Sequence, residues 1–126
     1  MIDIDHFKDV NDNYGHAAGD QVIINIANIL KDNLREYDIV GRLGGEEFCM
    51  FLPNIEIDVA TGIAERVRNK VAELTTAFKS HSITITVSIG LTVIKDAEVS
   101  INNILRRADK ALYQAKNSGR NKVIEK

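Results

Sequence analysis

The sequence has one cysteine, no apolar run long enough to cross a membrane, and almost no net charge. Each absence excludes something. Cys49 has no second thiol in the chain, so no internal disulfide can form and a reducing compartment is expected. Its place in an apolar arm suits a small core residue better than a reactive thiol. A membrane span takes about 18 consecutive apolar residues, and the start lacks a signal-peptide pattern. The expected location is cytoplasmic, with the parent protein free to be membrane-anchored through segments outside this sequence. A formal net charge of −2 gives no electrostatic basis for binding a nucleic-acid polymer. No Gly-x-x-x-x-Gly-Lys-Ser/Thr loop is present, which excludes a P-loop nucleotide hydrolase. His6, His16 and His81 lack zinc-ligand spacing with one another or with Cys49. Repeats, low-complexity tracts and linkers are absent too, and 126 residues make one domain with a single core.

The most informative stretch that is present is Gly44-Gly45-Glu46-Glu47-Phe48. It lies between two short apolar arms, Asp38 to Leu43 and Phe48 to Leu52, and so predicts a β-hairpin with Gly-Gly at its tip. Glycine permits positive φ there and lets another molecule approach the backbone with no Cβ in the way. Carboxylates beside such a tip are poorly placed for a core and well placed for a metal or polar ligand. The plain alternative is a hairpin whose turn happens to be acidic. A second acidic cluster, Asp3-Ile4-Asp5, opens the chain. Its alternation reads as a strand end with Asp3 and Asp5 on one face. Strand-end carboxylates beside an acidic hairpin are how two-metal phosphoryl-transfer sites are assembled, because hard divalent ions take oxygen ligands and share them with phosphates.

The rest alternates helix and strand. Val22, Ile23, Ile26, Ala27, Leu30 and Leu34 form one stripe, predicting a helix from about Ala18 to Arg35. Val59, Ile63, Val67, Val71, Leu74 and Phe78 predict a second helix. Ile83 to Ile94, rich in β-branched residues and split near Gly90, reads as a strand. Ile101, Ile104, Leu105, Ala108, Leu112 and Ala115 predict a third helix capped by Ser100, and Lys122 to Glu125 a last short strand. The expected fold is α+β: a ferredoxin-like, palm-like βαββαβ sandwich with a mainly antiparallel sheet and helices on one or both faces.

Asp3-Ile4-Asp5-His6-Phe7-Lys8, Asn11-Asp12, Gly15-His16, Gly19-Asp20 and Gly-Gly-Glu-Glu-Phe resemble, in order, the blocks of the GGDEF family of diguanylate cyclases. Thr86 to Gly90, Arg107 to Lys116 and Gly119-Arg120-Asn121 continue the match, so the resemblance covers nearly the whole chain. Glu46 stands where the family name has Asp, and the carboxylate is kept. The family also carries several tens of residues upstream, including an Asp-x-Leu-Thr-Gly-Leu turn and a helix. The resemblance therefore implies a single, N-terminally truncated domain over residues 1–126, with a short first strand beneath Asp3.

What the resemblance implies can be argued chemically. Asp3 and Glu46, with the backbone carbonyl of Ile4, would hold Mg²⁺ or Mn²⁺ around a GTP triphosphate. Glu47 would be a further metal ligand or help activate the attacking 3′-hydroxyl. Asp20 can accept from both N1–H and N2–H₂ of guanine, and Asn11 can add a bond to O6 or N3. Adenine offers no such donor pair, and a buried mismatch of this kind costs about a hundredfold or more in selectivity. As plain structure, Asn11 and Asp20 could instead be helix caps. Phe7, Lys8, Gly44 and Gly45 would line the substrate site, with Lys8, Lys116 and Arg120 on phosphates; cations near a helix C-terminus also suit its dipole. Arg35-x-x-Asp38, with Arg66, matches the family's product-inhibition site, where Arg binds phosphates and guanine edges bidentately. The activity implied is condensation of two GTP into cyclic di-GMP and two pyrophosphates by a transient homodimer, under control of an upstream sensor domain. Two rivals stay open: a receptor that binds cyclic di-GMP without turnover, and a GTP-binding regulatory module.

Overall fold

The computed structural model describes residues 1–94 and 100–126. The element order is β1 (Ile2–Ile4), α1 (Phe7–Tyr14), α2 (His16–Asp32), β2 (Ile39–Gly44), β3 (Glu47–Phe51), α3 (Ile57–Glu73), β4 (Thr75–Phe78), β5 (His81–Thr84), β6 (Val87–Leu91), α4 (Ile101–Asn117) and β7 (Val123–Glu125). Five strands form one sheet in the order β2-β3-β1-β6-β7, while β4 and β5 pair as a separate ribbon. Every neighbouring pair is antiparallel except β6 with β7. The expected ferredoxin-like α+β sandwich is therefore present, extended by one parallel edge strand.

The strand alternation decides which face carries chemistry. Ile2 and Ile4 point to one side with their register partners Phe48, Val87 and Ile89. There they pack against Val22, Ile26 and Leu30 of α2 and Val67 and Val71 of α3. Fully burying each such aliphatic side chain stabilises the fold by about 1.5–3 kcal/mol. Asp3, Asp5, Ser88 and Gly90 therefore point to the other side, which α4 covers. At Gly90 a Cβ would lie 2.2 Å from the Ala108 carbonyl oxygen and 2.3 Å from the Leu112 nitrogen. Only glycine lets α4 sit this close, and α4 shows the sheet a small-residue face of Ala108, Ala111 and Ala115. Helices thus cover both faces.

Several boundaries differ from the sequence reading. The segment after β1, given no element in the sequence reading, is a helix, α1, so Asn11 is mid-helix and caps nothing. Asp9, Asn11, Asp12 and Asn13 are weak helix formers, which hid it; Phe7 and Val10, with Tyr14 partly buried, anchor it in the core. Gly15, at φ +88°, ends α1 and starts α2. The second predicted helix stops at Glu73, because Leu74 turns extended and Phe78 belongs to β4. The long predicted strand is two, broken at Ile85-Thr86 rather than near Gly90. Among the described residues, no helix is long and apolar enough to cross a membrane.

Candidate active site

Asp3 sits at the centre of the sheet, 5% exposed, with Glu47 of the hairpin as its register partner across β1 and β3. The Ile4 amide donates to the Glu46 carbonyl at 3.3 Å, fixing the hairpin base beside the strand acid. At the tip, Gly44 and Gly45 have φ of +154° and +49°, and a Cβ on either would meet nothing within 4 Å. A bulge falls between Arg42 and Gly44, and the Arg42 Nε–H donates to the Gly45 carbonyl at 2.9 Å. The tip is thus shaped by glycine and open in front.

The electrostatics of Asp3 follow from this placement. Burial raises its pKa above the ordinary carboxylate value; a hydrogen bond and charge from Lys116 pull the other way, and Glu46 and Glu47 add to the rise. Lys116, from the last turn of α4, reaches across with Nζ 2.7 Å from Asp3 Oδ2. The sequence reading gave Lys116 to phosphate, and in the structure its partner is Asp3. A buried carboxylate beside two further acids favours positive charge at this spot, and an ammonium already stands there. The donors are oxygens only, which suits a hard divalent ion. Among the described residues, no group of three or more His, Cys, Asp or Glu is placed to hold a metal unaided. A cation held by Asp3, Glu46 and the Ile4 carbonyl would therefore need phosphate oxygens to complete its shell.

Asn11 and Asp20 come from different helices, α1 and α2, which pack against each other. A Cβ on Gly19 would lie 2.0 Å from Asn11 Oδ1 and 3.1 Å from the Phe7 ring. Asn11 therefore lies against the backbone of α2 immediately before Asp20, in a position that glycine alone permits. Phe7, expected as a substrate contact, has its ring in the core at 8% exposure, so it offers a ligand only backbone. Lys8 and Arg120 are exposed. Arg120, at φ +59°, lies in a loop with Gly119 at +110° and Asn121 at +46°.

The Arg35 region is a separate groove of about 640 Å³, lined by residues including Asn33, Arg35, Val59, Gly62 and Arg66. Arg66 Nε–H donates to Asn33 Oδ1 at 2.9 Å, and Asp38 Oδ2 accepts from the Arg35 amide at 2.8 Å. The two guanidinium-bearing residues thus line one groove of a single chain. Sequence reasoning missed Asn33, buried at the end of α2 and bonded through its Nδ2–H to the Ile29 carbonyl at 2.7 Å. It also missed Gly19, and it gave Asp5 no role beyond its strand face. The alternation that placed Asp5 beside Asp3 was the available signal.

Comparison with known proteins agrees with this layout. Residues 1–122 match the family described as diguanylate cyclase, GGDEF domain. Diguanylate cyclase A of Treponema denticola is 46% identical over 123 residues, spanning 98% of this chain and 33% of that protein. The diguanylate cyclase SiaD of Pseudomonas aeruginosa, solved in complex with its activator SiaC, superposes with a TM-score of 0.94 at 41% identity. That match covers 99% of this chain and 48% of the other. An active GGEEF domain of a diguanylate cyclase from Vibrio cholerae gives a TM-score of 0.89 at 35% identity, covering 98% of this chain and 78% of that one. The five letters of that domain's name are the residues Gly44 to Phe48 here. The chain spans a third or less of the length of such curated relatives. On the extent of these matches, the chain belongs to the GGDEF family of diguanylate cyclase domains.

Proposed function

We propose that the domain condenses two GTP molecules into cyclic di-GMP with release of two pyrophosphates. The observation that carries this reading is the pairing of Asp3 with Glu47 across β1 and β3, with the Glu46 carbonyl bonded to the Ile4 amide. A buried strand acid and both hairpin acids are thereby held together by backbone ladders rather than by flexible side chains. Such preorganisation is what charge stabilisation at a reacting phosphate requires. Asp3 and Glu46, with the Ile4 carbonyl, would hold Mg²⁺ or Mn²⁺. When bound, the ion offsets triphosphate charge and lowers the pKa of the attacking hydroxyl.

The chain's own groups supply the rest. Asp20 and Asn11 select guanine by its donor edge. Gly44 and Gly45 leave room for the α-phosphate to approach the hairpin backbone. Lys8, Lys116 and Arg120 contact phosphate oxygens, Lys116 exchanging its carboxylate partner for the triphosphate. Glu47 ligates the metal or takes the proton of the 3′-hydroxyl. Each domain holds one GTP, so two copies meet face to face. The 3′-oxygen of one nucleotide attacks the α-phosphorus of the other, its pyrophosphate leaves, and the same exchange in reverse closes the ring. A transient homodimer is thus part of the mechanism, and an upstream sensor domain would control it by arranging the pair. The Arg35–Asp38 groove with Arg66 would bind the product and restrain turnover.

Incubation with GTP and Mg²⁺, followed by chromatography of the nucleotides, tests the reading directly. Wild type is expected to yield cyclic di-GMP, Glu46→Ala none, and Asp20→Ser a product yield reduced with GTP. Cyclic di-GMP binding with no turnover by wild type would replace this reading with the receptor.

A further inference from the structure

Asp5 is more deeply buried than Asp3, at 3% exposure, yet none of the roles above uses it. Its carboxylate is satisfied by three neutral donors: Thr86 Oγ1 at 2.7 Å and the Asn121 amide at 3.1 Å on Oδ2, and Ser88 Oγ at 2.7 Å on Oδ1. Its own amide donates to the Thr86 carbonyl at 2.9 Å. A buried carboxylate bonded in this way is a fixed point, because losing any donor leaves a charge without solvation.

What it fixes is the loop after α4. Gly119, Arg120 and Asn121 all have positive φ, a run that L-residues adopt only when held. One hold is the Arg120 amide on the Ala115 carbonyl at 3.0 Å. A second is the Asn121 amide on Asp5, and a third is Asn121 Oδ1, which accepts from Arg68 Nη1 of α3 at 2.8 Å. Arg120 is thus held through its own amide and its neighbour, with its side chain exposed. Lys116, on the preceding turn, reaches Asp3, two residues from Asp5 on the same strand face.

We propose that Asp5 is the positioning residue for the cationic end of α4: it anchors Asn121, and through it sets Arg120 over the phosphate end of the site. This rests on the function proposed above, since it gives Arg120 a triphosphate to meet. A hydrogen-bonded anchor also makes a distinctive prediction about conservative replacement. An amide at position 5 can still accept from the Asn121 N–H while donating to Ser88 Oγ, whose hydroxyl rotates to accept. A methyl group can do neither.

The test measures binding of two probes by calorimetry: 3′-deoxyguanosine 5′-triphosphate with Mg²⁺, which lacks the attacking hydroxyl, and guanosine. Asp5→Ala is expected to weaken the triphosphate about tenfold and leave guanosine unchanged. Arg120→Ala is expected to do the same, and the double variant to lose no more than either single one. Asp5→Asn should restore most of the affinity, and amide exchange at Asn121 should be fast in Asp5→Ala and slow in Asp5→Asn. Additive losses, equal weakening of both probes, or an Asn variant as impaired as the Ala variant would overturn the proposal. Should Asp5→Ala fail to fold, Thr86→Val decides it: it removes the hydroxyl that holds Asp5 Oδ2 and is expected to weaken the triphosphate severalfold with guanosine unchanged, whereas triphosphate affinity equal to wild type would overturn the proposal. If wild type binds neither probe, the proposed function falls and this inference with it. If wild type binds both and Asp5→Ala matches it, only this inference falls.

Discussion

The acidic site on the sheet and the basic groove at the end of α2 are built in opposite ways. In the first, strand register pairs Asp3 with Glu47, the Ile4 amide holds the Glu46 carbonyl, and the burial of Asp3 raises its pKa. In the second, Arg35 and Arg66 are long side chains on a loop and a helix: the Arg66 guanidinium donates twice to Asn33, and Arg35 is bonded to Asp38 through its backbone amide, which leaves its side chain free of that bond. Ladder-held groups cannot retreat from one another, so their mutual repulsion is built in and favours a cation between them. Side-chain-held groups can swing into water at little cost, so the groove is cheap to hold open and its ligand must do the ordering. The first design would suit the transition state proposed for it, the second the product proposed to bind and leave.

Breaking the acidic site should have the largest consequence. Asp3→Asn and Glu46→Ala are each expected to lower turnover at least about 100-fold, measured as initial rates of product formation. An effect of less than tenfold from both would mean that the pair does not hold the cation. Next in size is the packing beneath it. Gly90→Ala places a methyl against the Ala108 carbonyl and the backbone of Leu112, both rigid, so α4 must lift. The expected loss is about 1–3 kcal/mol in urea unfolding, with a fall in activity because Lys116 moves with α4.

Gly19→Ala sharpens the comparison at the guanine end. The added methyl displaces Asn11, and GTP affinity should fall about tenfold, with thermal stability lowered less than in Gly90→Ala. In the groove, Arg66→Ala should leave the rate at low product unchanged while raising the concentration of cyclic di-GMP needed for half-inhibition about tenfold. Equal damage to basal rate and inhibition would merge the two regions that the structure separates.

The smallest effect concerns pH. Burial raises the Asp3 pKa, so the folded protein holds this proton to a higher pH than the unfolded chain does. By linkage, the contribution of Asp3 to stability is fully present below the unfolded value of about 3.9 and declines as pH rises through the raised folded value. Asp3→Asn removes that decline. Its urea midpoint relative to wild type should therefore shift in the variant's favour between pH 4 and pH 7, even though its activity is lost.

The two regions also differed in how legible they were. The acidic site could be read because its signals are local and periodic: alternation put Asp3 and Asp5 on one strand face, and Gly-Gly marked the hairpin tip. Which residues meet across elements was not written in any one segment. The Lys116–Asp3 pair depends on how closely α4 approaches the sheet, and that depends on Gly90. α1 was hidden by four poor helix formers whose helix is held by the burial of Phe7 and Val10. β4 was mistaken for helix because Leu74 and Phe78 continue the three-to-four spacing of α3, and only pairing with β5 makes Thr75–Phe78 a strand. Asn33 falls inside the helix predicted to run to Arg35, and the bond it accepts from Arg66 of α3 exists only in the folded chain.

The most direct measurement is Mn²⁺ binding followed by electron paramagnetic resonance, with 3′-deoxyguanosine 5′-triphosphate present to prevent turnover. The account expects wild type to take up Mn²⁺ together with the nucleotide, and Asp3→Asn and Glu46→Ala each to leave the ion largely free. Undiminished Mn²⁺ uptake by both variants would contradict it.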